Sequence, residues 1–159
     1  MGTEVPETIK VCTVVIKDDA GRVLTVRKRG TNALMLPGGK PEQGESVKDT
    51  AAREVAEELG IALDLNVLRE LGTFSGPAAN EHGCRVHATV FEHPYIEVAA
   101  PRAEIEHTEW VDPGEHRSDL APLLRNEVFP FLRGGRTSDD AGAPLSSESS
   151  NQQRFRVTL

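Results

Sequence analysis

Between Ser46 and Gly60 the chain carries one well-marked amphipathic helix, and that helix constrains the fold more than any other stretch. Val47, Ala51, Val55 and Leu59 recur at every fourth position. Ser46 is placed to cap the start, with Asp49 three residues on as a weak capping-box partner, and Gly60 supplies the stop. At about 100° per residue from Val47, Ala51, Val55 and Leu59 fall at roughly 40°, 80° and 120°, a stripe of the width that packs a helix on a sheet. On the same wheel Glu54, Glu57 and Glu58 fall at roughly −20°, −80° and 20°. These acids line one edge of the buried stripe, where like charges repel and lose solvent.

The flanking segments supply strands. Lys10–Lys17 (KVCTVVIK) and Arg22–Arg29 (RVLTVRKR) are rich in β-branched residues and are separated by a turn at Asp18-Asp19-Ala20-Gly21, which predicts a β-hairpin. In the second segment Val23, Thr25 and Arg27 share one face, and Leu24, Val26 and Lys28 the other. Leu34-Met35-Leu36 is a short apolar run stopped by Pro37-Gly38-Gly39. The paired glycines imply a backbone that other residues resist or that something approaches closely. After the helix, Ala62–Phe74 leads into a strand, Cys84–Glu92 (CRVHATVFE) alternates as another, and Ile105–Asp112 reads as the last. Leu120–Leu132 is a second amphipathic helix, with Pro122 suited to its first turn and Pro130 expected to kink or end it. From residue 135 the composition becomes linker-like, and only the final RFRVTL alternates again, as a strand able to pair with a sheet edge would.

With 159 residues and 38% apolar content the chain has material for one domain, which we place at residues 1–134, and a low-complexity tail over 135–159. The net charge of −7 argues against a duplex nucleic-acid surface, which needs a basic stripe. It leaves small anionic ligands open, because a bound cation reverses the local sign. Cys12 and Cys84 have no metal-ligand spacing and read as small buried hydrophobes. There is no signal-peptide pattern and no run of membrane-spanning length, so the expectation is a cytoplasmic protein that does not engage a membrane.

Clustered carboxylates without thiolate or imidazole suit Mg²⁺ or Mn²⁺. Gly38-Gly39 can fold toward the acidic edge and offer a carbonyl as a further hard-cation ligand. A loop, a helix and a metal in one place suit a diphosphate, with water activated near neutral pH.

Residues Gly39–Ile61, GKPEQGESVKDTAAREVAEELGI, resemble the Nudix box, matching it at Gly39, Glu45, Arg53, Glu54, Val55, Glu57, Glu58, Gly60 and Ile61 without departure. At average residue usage such a coincidence is expected on the order of once in 10⁷ chains of this length. The resemblance implies an α/β/α sandwich with a mixed β-sheet and hydrolysis of nucleoside diphosphates linked to another moiety. It also implies Glu57 and Glu58 as principal metal ligands with the Gly38 carbonyl. Glu54 would be a third ligand or the base, Arg53 would orient Glu54, and Glu45 would be a supporting acid. A later acid would complete the site, with Glu104 favoured and Glu106 and Glu81 behind it. Cations for the substrate phosphates are Arg27, Lys28, Arg29 and Lys40, with Arg27 and Arg29 preferred.

Substrate identity is less marked. Pro77 lies sixteen residues past Ile61, near where relatives acting on ADP-ribose tend to carry a proline. The short single domain also looks like enzymes that hydrolyse oxidised or non-standard nucleoside triphosphates. Phe74, Phe91, Tyr95 and Trp110 are the aromatics available to stack a base. The alternative is a Nudix-fold binding or regulatory module without hydrolysis, against which the complete set of box acids argues. RNA-cap hydrolysis lacks a supporting basic extension, and a homodimer is the default expectation for the assembly.

Overall fold

The structure is a computed structural model that describes residues 7–79 and 83–134. Glu81, the 135–159 tail and its RFRVTL end therefore lie outside the described residues. Among the described residues there are six strands: β1 (Glu7–Ile16), β2 (Val23–Lys28), β3 (Gly38–Gly39), β4 (Arg69–Pro77), β5 (Cys84–His93) and β6 (Ile105–Val111). The first helix, α1, spans Val47–Leu59; a π-helical turn over Leu124–Val128 runs into α2, Phe129–Leu132. A four-stranded mixed sheet has the order β3-β1-β5-β4, with β1 and β5 parallel and the other pairs antiparallel. β2 and β6 form a separate antiparallel pair.

Alternation along the strands divides the core in two. Cys12, Val14 and Ile16 of β1, Leu24 and Val26 of β2 and Phe91 of β5 pack with Ala51, Val55 and Leu59 of α1. Val15, Val23, Ala88 and Val90 point the other way and pack with Leu124, Val128 and Phe129 of the second helical segment. Helices thus cover both faces of the sheet layer, the α/β/α arrangement expected. Burial on both sides explains why β1 reads as a nearly continuous apolar run after Lys10.

The expected hairpin of the first two strands does not form. A single bridge, Lys17 to Val23, joins them beyond the turn, and the strands then diverge into different sheets. Over residues 12–14 both edges of β1 are occupied, one by β5 and the other by β3 and the Pro37 carbonyl, which accepts from Val14 N–H at 3.1 Å. That stretch has no edge left for β2.

The α1 boundaries match the sequence: Ser46 Oγ accepts from Asp49 N–H (3.1 Å), and Gly60 ends the helix at φ 68°. Such a serine cap is worth about 1 kcal/mol. Val47, expected in the buried stripe, is instead 42% exposed, because it precedes the point where α1 meets the sheet. Pro130 does not end the second helix, which is instead distorted just before it. Phe129 N–H bonds Leu124 O, so a wider turn precedes the proline and the helix continues to Leu132. An insertion of this kind accommodates a ring that would clash with the carbonyl four residues back. Cys12 is buried and Cys84 half-buried, and both are free thiols. No helix among the described residues is long and apolar enough to cross a membrane.

Candidate active site

The three glutamates of α1 are buried in the order of their wheel angles. Glu58, inside the apolar stripe, is 2% exposed. Glu54, at its edge, has a side chain 19% exposed, and Glu57, farthest out, 55%. Glu58 Oε1 accepts from Gly38 N–H at 3.1 Å, which ties the helix to β3. Burial pushes the Glu58 carboxyl from its ordinary 4.5 up to about 8, opposed by the Gly38 hydrogen bond and by Lys28, and assisted by Glu54 and Glu104. Glu54 is also raised, first by burial, while Arg53 and Lys28 pull it down.

The two glycines have different reasons to be glycine. Gly38 sits at φ 147°, and a Cβ there would lie 2.1 Å from the Cys12 carbonyl oxygen. At Gly39 a Cβ would lie 2.4 to 2.7 Å from the Glu54 carboxylate atoms. Gly38 lets β3 reach β1, and Gly39 lets the Glu54 carboxylate lie on the backbone.

Arg53 organises the acids around it. Its Nε donates to Glu45 Oε2 at 2.7 Å and its Nη2 to Glu45 Oε1 at 3.0 Å, a two-pronged pair. Nη2 also donates to the Lys40 carbonyl (3.0 Å), and Nη1 reaches Glu54 and Glu57, both at 3.3 Å. These bonds hold the Glu45 carboxyl well below its ordinary range, at about 2, with Arg53 the largest cause. The shortest ion pair of Arg53 is therefore with Glu45; its contact with Glu54 is the longer one.

Glu104 arrives from a loop that is pinned at several points. Arg102 N–H donates to the Glu58 carbonyl (2.8 Å), and Ile105 N–H closes a turn onto Arg102 O (3.0 Å). Ala103 takes a left-handed φ of 55°, and the Glu104 carbonyl accepts from Arg29 N–H (2.7 Å). These bonds place Glu104 on the rim of a cavity of about 400 Å³ that Glu54, Lys28, Lys40, Gly38 and Gly39 also line. The other walls are aliphatic, among them Val11, Val86, Leu123 and Val128, and Pro77 lines one side.

Several expected site residues lie elsewhere. Arg27 is engaged by Thr31 O (3.4 Å) and Glu106 (3.3 Å), Arg29 is exposed, and neither lines the cavity. Lys28 does, because it shares a face with Leu24 and Val26, which pack toward α1, and the strand register shifts between Arg27 and Lys28. That face was readable in the alternation. Of the four aromatics none lines the cavity: Phe91 is core, Phe74 packs edge-on with Phe131, and Tyr95 lies against Trp110.

The donor set fits a hard divalent cation. It is all oxygen, and Glu58 is a buried acid without a cationic side chain bonded to it. Among the described residues no three such side chains already converge as a cation cage. Glu57 in particular is held aside by Arg53.

A family profile described as the NUDIX domain matches residues 7–133. A solved MutT protein from Methanosarcina mazei Go1 superposes with a TM-score of 0.67 at 26% identity, covering 83% of this chain and 97% of its own. A MutT-like protein of Streptomyces ambofaciens is 28% identical over 129 residues, 80% of this chain and 78% of the relative. An isopentenyl-diphosphate Delta-isomerase of Nocardia farcinica is 36% identical over 120 residues, 68% of this chain and 66% of the relative.

Proposed function

This chain belongs to the NUDIX family, and on that premise we propose that it hydrolyses the pyrophosphate linkage of a nucleoside diphosphate joined to another moiety, with Mg²⁺ or Mn²⁺ as cofactor. ADP-ribose-like compounds and oxidised or non-standard nucleoside triphosphates are the candidate substrates. The family match over 7–133 supports taking residues 1–134 as the catalytic domain. One observation carries the assignment: Glu54, Glu104, Lys28 and Lys40 line the charged mouth of a cavity whose remaining walls are mostly aliphatic, with buried Glu58 tied directly behind Gly38.

In this reading Glu57 and Glu58, with Glu104 and the Gly38 carbonyl, would hold the cation. A divalent ion there supplies charge compensation for the diphosphate and acidifies water at the site. Glu54 is the base. It is the one acid of α1 that lines the cavity, and burial raises its carboxyl, which makes it a better proton acceptor than an ordinary carboxylate. Water attacks one phosphorus, its proton passes to Glu54, the bridging P–O bond breaks, and the departing phosphate takes the electron pair beside Lys28 and Lys40. Arg53 positions Glu54 and Glu57 while Glu45 holds Arg53.

The test is a panel of ADP-ribose, nucleoside triphosphates, 8-oxo-dGTP and isopentenyl diphosphate, assayed for phosphate products with Mg²⁺ or Mn²⁺. Turnover of at least one nucleotide, lost on chelation and in Glu57→Gln and Glu58→Gln, is expected. Undiminished turnover in both variants refutes the site. Tight nucleotide binding without turnover identifies a binding module, and rearrangement of isopentenyl diphosphate without hydrolysis identifies an isomerase.

A further inference from the structure

Thr13 has an unexplained hydroxyl. It lies on β1 between Val11 and Val15, on the face that packs away from α1, and lines the cavity. The residue is 7% exposed, and its Oγ1 is buried with no hydrogen-bond partner among the described residues. Nearby backbone groups are committed, since β1 is paired along one edge to β5 and along the other to β3 and Pro37. Buried polar groups are rarely left this way. A need for β-branched packing would be met equally by valine, as at Val11 and Val15.

Its place in the sheet is informative. Thr13 stands opposite Gly38 in the β1–β3 register, and Gly38 donates to Glu58. Thr13 therefore sits where the charged and the aliphatic parts of the cavity lining meet, with its methyl toward Gly38. A rotation of about 120° about χ1 carries the hydroxyl into the position the methyl holds and the methyl into that of the Cβ hydrogen. No hydrogen bond is lost in that rotation, and the hydroxyl then takes the place that faces Gly38, where the missing side chain (a Cβ would lie 2.9 Å from Thr13 Cγ2) leaves space beside it.

We propose that Thr13 is a specificity-determining residue whose hydroxyl hydrogen-bonds the edge of the group entering the cavity. This rests on the active-site assignment above. The cavity then selects an uncharged, hydrogen-bonding ring such as a nucleobase, held between aliphatic walls rather than by aromatic stacking. A hydrocarbon tail of the same size would bury Thr13 unsatisfied and bind less well.

The experiment compares wild type, Thr13→Val and Thr13→Ser. For each nucleotide the wild type hydrolyses, Thr13→Val raises KM about fivefold to tenfold, the worth of one neutral hydrogen bond, with kcat within about twofold. Thr13→Ser restores KM, and ligand-free Thr13→Val melts no lower than wild type. Calorimetric binding of AMP and GMP, weaker in Thr13→Val, gives the same answer if no turnover is found, so failure of the hydrolase assignment stays distinguishable. KM and binding unchanged within about twofold overturn the proposal, as does absence of AMP and GMP binding in a wild type that turns over nothing. A clear loss of melting temperature in ligand-free Thr13→Val also overturns it, because the hydroxyl would then have an internal partner.

Discussion

Glu58→Gln should separate the stability of this fold from its activity. Glutamine keeps an oxygen for the Gly38 N–H and removes the charge. In wild type, burial raises the Glu58 carboxyl from 4.5 to about 8. Below 4.5 the group is protonated in both folded and unfolded chains, and it contributes no pH dependence. Between 4.5 and about 8 the unfolded chain releases the proton while the folded chain keeps it, so rising pH favours unfolding. At about 1.4 kcal/mol per unit, the penalty reaches about 3 kcal/mol at pH 7 and about 4 to 5 kcal/mol at pH 9 as an upper bound. Urea unfolding of both proteins in chelator from pH 4 to pH 9 reads it directly. The stability difference should move in favour of Glu58→Gln as pH rises, while hydrolysis is lost. Mg²⁺ at pH 8 should raise the melting temperature of wild type more than that of the variant. A difference that stays flat with pH, or moves against the variant, would refute the buried uncompensated acid.

The two glycines should part company. Gly38→Ala, whose Cβ meets the Cys12 backbone at a glycine-only φ, should cost more than about 3 kcal/mol in chemical unfolding. Gly39→Ala meets only the movable end of Glu54, so stability should stay within about 1 kcal/mol while kcat falls at least about tenfold. Arg53→Lys loses the two-pronged pair with Glu45 and should lower kcat at least about tenfold with KM little changed, since it positions acids rather than substrate. Lys28→Gln should lower kcat/KM about tenfold to a hundredfold and Arg27→Gln no more than about threefold; the reverse order would return the phosphate contact to Arg27.

The local elements were legible because their signals are local. Ser46, Gly60 and the four-residue repeat between them delimit α1 to the residue, and the wheel ranks Glu58, Glu54 and Glu57 in the order in which they are buried. The spacing from Gly39 to Ile61 carries the family. What tertiary structure decided is pairing and aim. A strand has two edges, and only the assembled sheet shows that both edges of β1 are taken over residues 12–14, with β2 paired to β6 instead. The alternation groups Lys28 with Leu24 and Val26, and only the fold shows that this face, not that of Arg27, borders the cavity. Glu104 reaches the same cavity through hydrogen bonds that tie its loop to Glu58 of α1 and to Arg29 just past β2, residues distant in sequence. Thr13 is the clearest case. In the sequence it is one more β-branched residue in a strand, and only packing on every side leaves its hydroxyl without a partner.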